Sequence, residues 1–385
     1  MQELEGVIRN YAWGSRVDIA RMQGRVCPTE LPEAEEWYGA HPTAPSFLAD
    51  GRSLDTAVQV DPKGMLGDAV LNRYGARVPF MMKLLAAARP LSLQAHPNAR
   101  QAHSGYVRER RMGVDFNSRN YVDFNHKPEL LVALSEFRAL CGFRDPREAA
   151  RDVESLHVEG LSDLVQTLRS GEGSIRRAVT MVLGNREDCG TLIEQAAKAA
   201  EGRPEPEFEM LVELAESYPD DPGVLVSLLL NHLVLQPGQA VYMPAGNMHA
   251  YLRGFGVEIM AASDNVLRGG LTSKKVDVPE LLRVLDFRVM EHPLCDAVDG
   301  ESGRIRQWPV PVDDFELRRV NVKGDEVTLN VEGPRIVLAV DGAIRVYDKH
   351  GDVALRAGRA AFSAADAGPI SVGGTGTVFL ANVSK

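Results

Sequence analysis

The chain has 385 residues, 44% of them hydrophobic and 25% charged, with a formal net charge of −10. This length allows two or three domains with ample core, in an ordinary globular composition. The charge argues against a nucleic-acid binder, because no basic field would neutralise phosphates, yet it leaves room for a small phosphorylated ligand held by two or three local cations.

No segment approaches the apolar length of a membrane span, and Met1 to Asn10 lacks the apolar region of a signal peptide. Cys27, Cys141, Cys189 and Cys295 lie far apart and form no paired motif. Reduced thiols and a cytoplasmic location are the expectation.

Three textures follow one another. From Met1 to about Phe143 the sequence is mixed, with Gly and Pro punctuation and short apolar runs such as Val78 to Leu85. Between about Asp145 and Ser217, helix formers recur with apolar residues three and four apart. The predicted helices cover Arg147–Leu156, Ile175–Leu183, Thr191–Ala200 and Phe208–Glu216, with breaks at Gly171-Glu-Gly173 and Arg203-Pro-Glu-Pro206. From Leu228 to Leu235 the pattern returns to strands. The final part, roughly Phe315 to Val383, alternates in short β segments: Arg335–Val340, Ala343–Tyr347, Val353–Leu355 and Gly376–Asn382. Asp341-Gly342 reads as a hairpin turn between the first two. A helical insertion between β stretches means that ligands on either side of it can belong to one barrel.

Within this frame, Pro90-Leu-Ser-Leu-Gln-Ala-His-Pro97 places Gln94 and His96 two apart, on one face of a strand. Metal ligation and backbone satisfaction at a strand end are both open readings of that pair. In Asn125-His-Lys-Pro-Glu129, Glu129 leads into the apolar run Leu130–Leu134, where an unpaired charge would be costly. Either it has a cation partner or the strand end is exposed. The run from Pro237 to Tyr251 reads as turn, strand and second turn, then His249 on the next strand. Its spacing of Gly238, Pro244, Gly246 and His249 resembles the second metal-binding motif of the cupin β-barrels. Arg253 stands where many cupins have Asn. Together, Gln94, His96, Glu129 and His249 would make a mixed O/N site suited to Zn²⁺, with Fe²⁺ or Mn²⁺ fitting the same donors.

These stretches resemble type I mannose-6-phosphate isomerase, a family of the cupin superfamily. The resemblance runs through Asn10–Ser15, Ala34–Pro42, Pro79–Leu85, Pro90–Pro97, Asn125–Phe143 and Pro237–Leu285. It implies a mainly β protein with a cupin-type jelly-roll catalytic core (residues 1–144 and 226–290), a helical domain (145–225) and a second, C-terminal cupin-like β domain (291–385). It also implies one Zn²⁺ per chain on Gln94, His96, Glu129 and His249, and interconversion of mannose 6-phosphate and fructose 6-phosphate through a cis-enediol. The expected partner is thus a hexose 6-phosphate, with neither nucleic acid nor membrane. Oligomeric state is not readable from the residues. Whether the reaction serves catabolism or supplies GDP-mannose is equally open. The C-terminal stretch Ala357–Ala365 has no histidine where a metal cupin would need one, and His350 falls in a turn. That domain is therefore expected to serve packing without a metal.

This reaction needs a base and a phosphate grip. Glu258, in Gly256-Val-Glu-Ile-Met260, is the first candidate base, with pairing to Arg268 as the alternative. Lys127 is the second candidate, beside Glu129, where a metal favours the neutral amine. His126 is a candidate for passing the oxygen proton, or else it orders the turn. For phosphate, Asp264–Lys274 supplies Arg268 and Lys274 around Gly269-Gly270, where backbone could approach a ligand closely. Lys83 and Ser92 are further phosphate candidates. Trp13 and Tyr251 are expected to line the sugar pocket, and Tyr38 to pack in the core. A sugar-phosphate-binding cupin without catalysis and an iron-dependent cupin oxygenase are the competing readings.

Overall fold

The computed structural model describes residues 1–185, 189–300 and 303–384. Its strands in chain order begin with β1 (Gln2–Glu5), β2 (Val7–Arg9), β3 (Glu35–Tyr38), β4 (Phe47–Leu48), β5 (Phe80–Ala87), β6 (Leu93–Ala95), β7 (Glu129–Ala133) and β8 (Phe137–Phe143). After the helical stretch come β9 (Leu230–Leu235), β10 (Ala240–Met243), β11 (His249–Ala261) and β12 (Leu267–Gly270). The C-terminal part holds β13 (Leu294–Cys295), β14 (Val298–Asp299), β15 (Ile305–Gln307), β16 (Glu316–Leu329), β17 (Arg335–Asp348), β18 (Gly351–Arg356), β19 (Arg359–Ser363) and β20 (Ile370–Asn382).

β11 organises the first β unit. Its second half, from Gly254 on, pairs antiparallel with β5 and β7, in the order β13-β10-β7-β11-β5-β3-β2. Its first half pairs with β6 and β8, and these extend to β12 and β9. The passage between sheets coincides with a register shift between Tyr251 and Arg253 and with Gly254 at φ 137°. A Cβ at Gly254 would lie 2.6 Å from the Phe137 ring, so glycine is required there.

Both sheets are covered on their outer faces, which explains why β5 and β7 are buried at every position. Period two sorts the side chains. Tyr38, Phe80, Met82, Leu84, Leu130, Val132, Val257 and Ile259 pack against Phe315, Leu317, Ile336, Leu338, Phe362 and Phe379 of the C-terminal sheet. The alternate positions of the same strands face inward and include Glu35, Trp37, Lys83, Glu129 and Glu258. On the other sheet, Leu93, Ala95, Leu140, Ala250, Leu252 and Leu267 point to the helices. The interior between the two sheets is where the charged residues lie.

The helical texture is present as Pro146–Ser155, Ser162–Arg169, Ser174–Gly184, Cys189–Ala200 and Pro206–Ser217. Further helices, Leu54–Val60, Pro62–Tyr74 and Ala99–Arg111, lie inside the mixed first part. The last begins at a capping box in which Asn98 and Gln101 bond reciprocally.

Two sequence expectations change. Asp341-Gly342 is not a hairpin turn: β17 runs on without interruption, with a register shift between Ala339 and Asp341 against β20. Gly342 (φ 77°) lets the strand bend while its pairing continues. The sheets also cross the division at residue 290. β1 and β4 join the C-terminal nine-stranded sheet through β19, whereas β13 pairs with β10 of the first unit.

Candidate active site

The inward faces of the two sheets border a cavity of about 1000 Å³. β6 brings Gln94 directly opposite His249, the first residue of β11, and His96 follows as the chain leaves β6. Glu129 is the first residue of β7, opposite Met243 and Met260. One donor atom each from His96, Glu129 and His249 lies within 4.8 Å of the others, with all three residues buried.

Each imidazole is oriented from behind. His96 Nδ1 lies 2.7 Å from the Asn265 carbonyl, and His249 Nδ1 lies 3.1 Å from the Asn247 carbonyl. Both Nε2 atoms therefore point to Glu129 Oε2, each 3.3 Å away. The second carboxylate oxygen, Oε1, is 2.9 Å from Lys127 Nζ. Burial alone would raise the Glu129 pKa, but Lys127 and His96 outweigh it and hold the carboxyl well below its usual range. Burial depresses the His96 imidazole to about 4, leaving it a neutral lone-pair donor.

His96 Nε2 and Glu129 Oε2 are buried yet make no hydrogen bond of acceptable geometry. Such atoms cost stability unless something else satisfies them. Two imidazoles and a carboxylate around one point are a donor set that fits Zn²⁺. Gln94 Nε2 is 3.3 Å from His249 Nε2, so turning its amide by half a revolution presents Oε1 as a fourth donor.

A second charged cluster lies on β3, β5 and β11. Glu258 Oε1 accepts from Tyr251 Oη at 2.7 Å, and Lys83 Nζ is 3.0 Å from Glu258 Oε2 and 3.3 Å from Glu35 Oε1. Burial pushes the Glu258 pKa up, Lys83 opposes this, and Glu129 and Glu35 reinforce it. Burial alone would lower the Lys83 pKa, yet Glu258 and Glu35 hold it raised.

Of the residues singled out in the sequence, Trp13, Lys83, Ser92, Gln94, Lys127, Glu129, Tyr251, Glu258, Arg268 and Lys274 line the cavity. His126 does not. Its Nε2 turns to Asp314 of the C-terminal part, 2.8 Å away, because the Asn125–Pro128 segment runs along the seam between the two β units. Glu258 pairs with Lys83 and not with Arg268. Lys83 in turn is enclosed by two carboxylates and is 5% exposed, so it has no spare charge for a phosphate. Gly269 and Gly270 end β12 and serve packing: Cβ atoms there would strike Met248 and the Gly223 backbone.

Sequence reading missed Glu35, Arg89 and Asn265. Glu35 alternates with buried Glu36 and lines the cavity beside Lys83, and Arg89 lies on the rim. Asn265 is fully buried. Its side chain bonds the Val122 and Asp123 amides and the Asp123 and Asn125 carbonyls, tying the segment before Lys127 to the carbonyl that holds His96. Only the polar run Ser263-Asp-Asn265 hinted at this.

Residues 1–146 match the family model for the phosphomannose isomerase type I catalytic domain. A curated mannose-6-phosphate isomerase from Salmonella typhimurium is 35% identical over 396 residues, covering 98% of each chain. The human mannose-6-phosphate isomerase is 29% identical over 377 residues, covering 89% of this chain and 87% of its own. Among solved structures, a zinc-bound mannose 6-phosphate isomerase superimposes with a TM-score of 0.93 at 33% identity, covering 100% of this chain and 99% of that one. A mutant phosphomannose isomerase from Salmonella typhimurium gives the same score and identity, with 100% of both chains covered. End-to-end similarity of this extent means that the chain belongs to the type I phosphomannose isomerase family.

Proposed function

We infer that the chain interconverts mannose 6-phosphate and fructose 6-phosphate as a zinc-dependent aldose–ketose isomerase, through a cis-enediol. The observation that carries this is the buried His96–Glu129–His249 centre opening onto a cavity with a desolvated carboxylate on one side and cations at its rim, in a chain similar throughout to mannose-6-phosphate isomerases.

When bound, Zn²⁺ supplies positive charge that stabilises oxyanion character on the substrate. Gln94, His96, Glu129 and His249 would hold it. We assign the C2 proton to Glu258, which takes it and returns it at C1. Its burial favours the protonated form that such a base must reach, and the Tyr251 hydroxyl fixes its orientation. To Lys127, ion-paired with Glu129 Oε1, we assign the second proton, moved between O2 and O1. No electrons leave the substrate: one C–H bond breaks and another forms, and the hydroxyl and carbonyl exchange places.

Arg268 lines the cavity with burial lowering its pKa, so an anion there would be welcome. Arg268, Lys274 and Ser92 are our phosphate contacts, with Arg89 as an addition. Trp13, stacked on Tyr11 at 5.7 Å, supplies the apolar wall. No helix among the described residues is long and apolar enough to cross a membrane. The four free cysteines fit a reducing compartment, and we place the protein in the cytoplasm.

A coupled assay reporting fructose 6-phosphate tests the reading. Turnover of mannose 6-phosphate should vanish with a chelator and return with zinc. A zinc-loaded protein without turnover would leave only a sugar-phosphate binder.

A further inference from the structure

One wall of the cavity is not supplied by strands. Ser217–Pro222 joins the helix Pro206–Ser217 to the helix Gly223–Ser227 and lines the cavity between Arg89–Ser92 and Leu271–Lys274. It is tethered to both neighbours. Tyr218 Oη donates to the Pro90 carbonyl at 3.2 Å, on the segment that carries Arg89 and Ser92. Asp221 uses both carboxylate oxygens on backbone: Oδ1 accepts from Gly223 N at 2.7 Å, and Oδ2 from Thr272 N at 3.0 Å.

The residue before Thr272 is held in an uncommon conformation. Leu271 has φ 54°, in the left-handed region, and is 1% exposed. A bulky residue stays there only when its surroundings over-determine it. The surroundings are close. A Cβ on Gly223 would lie 2.8 Å from Gly270 Cα and 2.9 Å from Leu271 N, and one on Gly270 would lie 2.6 Å from Gly223 Cα. Two glycines thus let the end of the helical insertion press on the end of β12, and Asp221 locks the contact.

We propose that Asp221 is a positioning residue for the substrate phosphate: its clasp on Gly223 and Thr272 holds the Leu271–Lys274 turn in the shape that presents it to a phosphorylated sugar. The helical insertion thereby sets phosphate affinity from outside the metal centre. This rests on the isomerase reading above and deepens it.

Charge and geometry make opposite demands on the clasp. Asp221 is an anion on the wall of a site for an anion, and through space its carboxylate weakens phosphate binding. If that field dominated, neutralising it would lower KM. If the clasp dominates, neutralising it raises KM, because Thr272 N–H loses its partner and Leu271 is free to leave the left-handed region.

The experiment compares full-length, zinc-loaded Asp221→Ala and Asp221→Asn enzymes with the unchanged protein, using mannose 6-phosphate as substrate and inorganic phosphate as competitive inhibitor. KM and the phosphate inhibition constant should rise together, roughly tenfold for Ala and less for Asn, which keeps one acceptor oxygen. Zinc content should stay constant and kcat at saturation should hold within about twofold. An unchanged or lowered KM, or a fall confined to kcat, overturns the proposal. Tyr218→Phe removes one hydroxyl and tests the other tether should the Asp221 variants not fold: KM should rise by a few-fold, and no rise overturns it. Absence of turnover in the unchanged, zinc-loaded protein would instead sink the isomerase reading.

Discussion

β11 passes from one sheet to the other at Gly254, and β17 and β20 bend together at Gly342, Gly374 and Gly376. Before its bend β17 pairs with β19, and after it with β18. Each unit thereby gains a concave inner face, but the two faces are filled differently. The C-terminal one is lined by Val320, Val322, Val337, Ile344, Val346, Val372, Val378 and Leu380, which bury one another. The first carries Glu35, Lys83, Glu129 and Glu258, with His96 and His249 at its end. Apolar side chains close a concavity into a core. Charged ones cannot be packed dry without partners, so they stay ion-paired around an open space. A bent sheet thus becomes a site through the residues on its inner face, and both interiors can be tested on that basis.

The largest effect is expected where the charged interior loses a metal donor. Glu129→Ala and His249→Ala should each abolish stoichiometric zinc and lower turnover by about 10³ or more. Elemental analysis beside initial rates checks this, and full zinc content in either variant would displace the centre from these residues.

A smaller loss, about 10²–10⁴ in kcat, is expected for Glu258→Gln with zinc retained. Its pH dependence sharpens the assignment. A base must be ionised to act, and burial holds the Glu258 pKa above the ordinary 4.5. The acid limb of kcat/KM should therefore lie above that of an exposed glutamate, with activity lost as pH falls through it. Lys83 opposes the shift, so Lys83→Met should move the limb to still higher pH. A limb that stays put or moves down would remove Glu258 from the role.

In the apolar interior the effect on catalysis should be smallest. Leu380→Ala should cost about 2–5 kcal/mol of stability while kcat/KM of the folded protein holds within about twofold. Denaturant unfolding with rates normalised to folded protein would show it. A larger loss of turnover would mean that the two interiors are not independent.

The helices of the insertion, the strands before and after it, and the stretch Pro237–Tyr251 were legible because their patterns are local. Turn residues, helix periodicity and a histidine at fixed spacing act within a few positions. Gln94 and His96 could be paired, but the sequence left them open between ligation and backbone satisfaction. What resolved the geometry was β11, which pairs with β6 at its start and with β7 further along, and so brings His249 beside Gln94 and Glu258 onto the face that carries Glu129. Lys83 reads as a free cation in an apolar run, because its partner Glu35 is 48 residues away on β3. His126 reads as a neighbour of the chemistry, and only the C-terminal sheet reveals Asp314 as its partner.

By itself, the sequence determined the succession of β, helical and β parts, the side-chain chemistry available to the centre and the family resemblance, since composition, period and motif spacing are properties of neighbouring residues. The tertiary structure decided which charges are paired, which way His126 turns, and that Gly269-Gly270 and Asp221 bind the helical insertion to the cavity wall. Those outcomes depend on strand register and close backbone approach between segments far apart in the chain, where a shift of one residue reverses every side chain.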